Sequence, residues 1–98
     1  MKGILIEPGK APVVTALPDT LQGIEAMLGG PSMQYTFSRT PAMLIYSYTR
    51  QEPNRYCHDR MVCGPILCYG WKNNSLVPMG KGLQAEMLDR LKETEVRV

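Results

Sequence analysis

The side chains best suited to holding an anion are concentrated between Arg39 and Trp71. This segment carries Arg39, Arg50, Arg55 and Arg60, with only Glu52 and Asp59 as acids, and adds Tyr46, Tyr48, Tyr56, Tyr69 and Trp71. Arginine offers a fixed fork of donors to phosphate or carboxylate. Aromatic rings offer flat faces on which a base can stack. Tyr46 and Tyr48 are two residues apart, so in a strand they share a face, and Arg50 continues it. With Asn54 to read a polar edge and His58 nearby, the expected ligand-binding set is Arg39, Tyr46, Tyr48, Arg50, Asn54, Arg55, Tyr56, His58 and Arg60. Each charge-assisted hydrogen bond contributes about 1.5–3 kcal/mol, so two arginines and one stacked ring suffice for micromolar binding. The same Tyr, Arg and Trp set is also typical of protein–protein hot spots, and equally of a solvated loop beside core aromatics.

Other chemistries lack their residues. His58 is the sole histidine and stands between Cys57 and Asp59. Successive strand residues point to opposite faces, so this adjacency does not make a nucleophile–base pair. Pro8-Gly9-Lys10 lacks the preceding glycine and following Ser or Thr of a phosphate loop. Cys57, His58, Cys63 and Cys68 form no paired-ligand knuckle, and in an apolar strand a thiol acts as a small hydrophobe. No spacing links Glu7, Glu52 and Asp59 as paired acids. The expectation is a non-catalytic protein with no metal and no cofactor.

These residues need a scaffold, and 98 residues provide one domain. Gly3 to Glu7 and Pro12 to Leu17 read as two strands joined by the turn Pro8-Gly9-Lys10. Asp19 opens a helix with Gln22 completing a capping box; Leu21, Ile24 and Leu28 form its apolar face, and Gly29-Gly30-Pro31 stops it. Met33 to Arg39 alternates as a strand, and Ala42 to Thr49 is a second β-rich run. Gln51 to Arg60 is polar and reads as a turn-rich connection. Val62 to Trp71 reads as one strand interrupted by Gly64-Pro65, and Leu76 to Met79 as a short one after the turn Asn73-Asn74-Ser75. Leu83, Met87 and Leu91 line a closing helix. The fold class is therefore α+β: a small antiparallel or mixed sheet, order ββαββββα, with two helices on one face and residues 1–93 as the domain before a frayed tail, 94–98. A partly apolar second face would favour a homodimer.

The net charge of +2 is too small for bulk attraction to DNA or a membrane, and no apolar run approaches the ~20 residues of a membrane span. Three cysteines in a chain beginning at Met1 without a secretory leader imply free thiols and a cytoplasmic location.

The opening Ile6-Glu7-Pro8-Gly9-Lys10-Ala11-Pro12, the Leu28-Gly29-Gly30 helix end, the central Pro53-Asn54-Arg55 and the strand from Gly64-Pro65-Ile66-Leu67 resemble a small bacterial family of unknown function. Its members are encoded on plasmids, conjugative elements and phages. The resemblance implies an accessory role, in which small proteins counter host defences, and it directs attention to Asn54 and Arg55. The leading expectation is a protein that sequesters an anionic, nucleotide-like signalling molecule in the host cytoplasm. The alternatives are an inhibitor that binds a host defence protein, and a small hydrolase using His58 or a cysteine.

Overall fold

The computed structural model describes residues 1–57 and 60–93; His58, Asp59 and the tail 94–98 lie outside the described residues. The elements are β1 (Lys2–Ile6), β2 (Val13–Ala16), α1 (Leu21–Leu28), β3 (Ser32–Thr36), β4 (Ala42–Ser47), β5 (Pro53–Cys57), β6 (Arg60–Cys63), β7 (Ile66–Lys72), β8 (Ser75–Val77) and α2 (Lys81–Glu93). The class is α+β, as the patterning implies. Two more strands are present than expected, because the polar Gln51–Arg60 stretch forms most of the β5–β6 hairpin. Gly64-Pro65 is a true break, with Gly64 at φ 74°, that separates β6 from β7.

The main sheet is antiparallel throughout, in the order β2-β1-β7-β4-β3, with β8 pairing the far end of β7. Local chemistry sets its turns. Gly9 takes φ 73° and Lys10 N–H donates to Glu7 O at 3.1 Å, closing the Pro8-Gly9 turn. Asn73 and Asn74, at φ 51° and 59°, form the two-residue connection between β7 and β8. Thr20, not Asp19, caps α1: its Oγ1 accepts from Gly23 N–H at 3.1 Å. Gly29 ends the helix in the left-handed conformation at φ 79°.

The two helices lie on opposite faces of the sheet, not on one. Ile24 and Leu28 of α1, with Leu17, pack on Met43, Ile45, Leu67 and Tyr69. Met87 and Leu91 of α2 pack on Ile4, Ile6, Leu44, Ile66 and Cys68, joined by Cys57 and Val62 of the hairpin. Side chains alternate along a strand, so β4 feeds Met43 and Ile45 to one cluster and Ala42, Leu44 and Tyr46 to the other. All six residues of β4 are buried, as expected for a central strand covered on both sides.

Candidate functional site

The Pro53-Asn54-Arg55 segment turns inward. A regular strand would point Asn54 and Arg55 to opposite sides, but the β5–β6 register shifts between Pro53 and Arg55. This bulge lets both side chains enter the interior, where Asn54 is 1% and Arg55 0% exposed. Asn54 Nδ2 donates to Ile6 O at 2.9 Å and Gly64 O at 2.7 Å, tying the hairpin to β1 and to its own base. Arg55 Nε donates to Leu91 O at 2.8 Å and Nη2 to Lys10 O at 2.9 Å. Its Nη1 donates to Asn54 Oδ1 at 2.9 Å and Asn54 O at 3.1 Å. One guanidinium thus joins the β1–β2 loop, the hairpin and the last turn of α2. Only a planar fork of five donors can serve carbonyls spread over so many directions. Asn54 and Arg55 are therefore fold-stabilising residues, and their expected role in contacting a ligand is corrected on this geometry.

Arg50 is also engaged. Its Nε and Nη2 donate to Glu52 carboxylate oxygens at 3.2 and 2.8 Å, and Nη1 donates to Leu28 O at 3.1 Å, at the C-terminal end of α1. A cation is favourable at that end of a helix. The side chain passes between Gly29 and Gly64: a Cβ added to either would lie 2.6 or 2.5 Å from Arg50 atoms. The Arg50 hydrogen bond is the main reason that the exposed Glu52 carboxyl falls to about 2, and the Arg50 guanidinium is raised in turn.

Four of the nine expected site residues do come together. Tyr46, Tyr48, Arg50 and Arg60 line a cleft of about 190 Å³ with Met33, Ser47, Met61 and Cys63, where the ends of β3 and β4 meet β6. The register places Met33 directly opposite Tyr46, so both face the hairpin side of the sheet. Tyr46 is 7% exposed and serves as floor, whereas Tyr48, just past the end of β4, is 62% exposed. The Ser47 and Thr49 hydroxyls lie 2.8 Å apart at the sheet end. Arg60 is exposed, and no described residue forms an ion pair with it. The cleft therefore combines thioethers, two phenol rings and a cation with no ion-pair partner among the described residues, beside the neutralised Arg50–Glu52 pair.

The other expected residues lie elsewhere. Arg39 sits in the turn between β3 and β4, at the opposite end of β4 from Tyr46, about 13 Å along the strand at 3.3 Å per residue. Tyr56 is half exposed and pairs with Met61, but it is not among the residues lining the cleft. His58 lies outside the described residues. Sequence reasoning missed Met33, Ser47, Met61 and Cys63 as residues of the cleft. Methionine at a surface depression is a usable signal, because its flexible thioether adapts to varied partners.

A second depression, about 280 Å³, is lined by Leu5, Glu7, Lys10, Ala11, Val13 and Thr15. Its charges are already matched, with Lys10 Nζ 2.8 Å from Glu7 Oε2, an exposed pair that raises the lysine. Burial pushes the Cys68 thiol up to about 12 and raises Cys57 as well, so both stay protonated at neutral pH. Among the described residues, no three His, Cys, Asp or Glu side chains lie close enough to hold a metal ion. No helix among them is long and apolar enough to cross a membrane. Comparison with protein-family models, curated proteins and solved structures returned no match.

Proposed function

We propose that the protein holds an anionic, ring-bearing ligand, nucleotide-like in chemistry, in the cleft formed by Met33, Tyr46, Tyr48, Arg60, Met61 and Cys63. The observation that supports this most is the exposed Arg60 beside exposed Tyr48, above a floor of methionine and tyrosine. Arg60 takes the charge and Tyr48 stacks on the ring. The cleft volume is below the roughly 300–1,000 Å³ of pockets that enclose whole ligands, so it fits one ring or one phosphoryl head, with the rest of the ligand in solvent. Arg60 is the single cleft cation without an ion-pair partner among the described residues, which favours a monophosphate or cyclic monophosphate over a polyphosphate. Retention without turnover, in the cytoplasm of a host cell, fits the accessory role in phages and mobile elements that the sequence motifs resemble. There the protein would lower the free concentration of a defence signal.

A panel of cyclic and linear mononucleotides tests this by thermal shift, since a ligand that binds only the native state raises the melting temperature. At least one member should raise it, and Arg60→Ala and Tyr48→Ala should each remove the rise while leaving the unliganded melt in place. No shift across the panel would exclude the reading. The second reading is a protein-binding inhibitor of a host defence enzyme. Met33 and Tyr48 favour it, as large exposed side chains on one rim.

A further inference from the structure

The edge strand β3 points to a second copy of this chain. Its sequence is Ser32-Met33-Gln34-Tyr35-Thr36, with no charge, no proline and no bulge, and it pairs with β4 through five consecutive residues. Its other side ends the sheet. Met33, Gln34 and Thr36 are exposed, and no described element pairs with that edge. A free edge of this kind presents alternate N–H and C=O groups ready for another strand, and charges or prolines are what usually block it.

We infer that β3 pairs antiparallel with β3 of a second copy about a two-fold axis at Gln34. The sequence is complementary to itself in that register. Gln34 meets the partner's Gln34, Met33 meets the partner's Tyr35, and Ser32 meets the partner's Thr36. Met33 and Tyr35 lie on the α2 face, so each thioether lies beside a partner ring, a favourable sulfur–aromatic pairing. No like charges oppose each other anywhere along the strand. The opposite edge, β2, is shorter, and the same operation there would juxtapose only Val13 with Ala16 and Val14 with Thr15. Antiparallel pairing also brings the partner's 37–41 turn, with its exposed Arg39, to the cleft end of the sheet. The dimer goes beyond the ligand reading and does not depend on it.

Sedimentation equilibrium tests the pairing directly. The wild-type chain should approach twice 11.0 kDa as its concentration rises. Gln34→Lys, on an exposed side chain, sets two like charges against each other across the axis and should weaken the dimer up to about fivefold. Thr15→Lys, on β2, should leave the dimer intact. A second arm uses Gln34→Cys, whose Cα atoms would lie about 4.5–5.5 Å apart across the axis, within the range a disulfide spans, and should join under mild oxidation, whereas Thr36→Cys should not join to itself. A monomer at every concentration would overturn the inference. So would a dimer indifferent to Gln34→Lys, or one lost in Thr15→Lys. Because mass is the readout, failure of the dimer is distinct from failure of nucleotide binding.

Discussion

Replacing Arg55 with methionine keeps side-chain length and apolar bulk but removes every guanidinium donor. Among the described residues, four acceptor contacts disappear: Leu91 O, Lys10 O, Asn54 O and Asn54 Oδ1. The Leu91, Asn54 O and Asn54 Oδ1 contacts are buried, whereas the Lys10 contact is only partly so, and water can replace it. A buried acceptor left without a donor costs about 1–3 kcal/mol. Relief from desolvating the guanidinium offsets part of this, so we take two acceptors at full cost and expect a loss of about 2–5 kcal/mol. For a domain of this size each kcal/mol moves the melting temperature by about 4–8 °C, which gives a drop of roughly 8–40 °C. The assay is thermal unfolding followed by circular dichroism. Hydrogen exchange in the last turn of α2 should accelerate as well, because the Arg55 bond to Leu91 O is lost. Arg55→Lys should fall between, since one ammonium cannot serve so many carbonyl directions. A melting temperature within about 3 °C of wild type would refute the assignment of Arg55 to the interior fold.

Asn54→Ala removes the donors to Ile6 O and Gly64 O, and should cost about 2–4 kcal/mol by chemical denaturation. Glu52 carries a pH signature: its carboxyl is held at about 2 against an ordinary 4.5, so the stabilisation from its contact with Arg50 is present above 4.5 and is lost as pH falls toward 2. Acid titration of Glu52→Gln should therefore show a flatter stability curve across that window than wild type. Alkylation of the native protein at pH 8 should modify the partly exposed Cys63 before Cys57 and Cys68, whose thiols burial keeps protonated; mass mapping of the labelled residues checks the order.

The parts of the fold legible in the sequence were those where apolar spacing and turn chemistry agree. The stop at Gly29, the Pro8-Gly9 turn and the Asn73-Asn74 turn follow from residues that tolerate positive φ. The β5–β6 hairpin was not legible, because the inward residues of β5 include Asn54 and Arg55. Periodicity assigns polar side chains to solvent, and it cannot see that carbonyls of Ile6, Lys10, Gly64 and Leu91 await them. The placement of the helices was misread despite a usable signal. An unbroken apolar run from Ala42 to Tyr46 requires cover on both faces of its strand, hence a helix on each side. At the site, the concentration of arginines was visible but their division was not. Arg55 and Arg50 hold the fold together, Arg39 sits at the far end of β4, and Arg60 alone faces the cleft without an ion-pair partner among the described residues.

The central claim is that the ligand site is the cleft at Tyr48 and Arg60 and not the Pro-Asn-Arg motif. Backbone and side-chain chemical shifts, recorded while a cyclic mononucleotide is titrated into the protein, test it most directly. Saturable shifts are expected at Met33, Tyr46, Tyr48, Arg60, Met61 and Cys63, with the Asn54 and Arg55 side-chain resonances nearly unmoved. Shifts centred on Arg39 or on the Glu7–Thr15 depression, or no shifts at all, would contradict it.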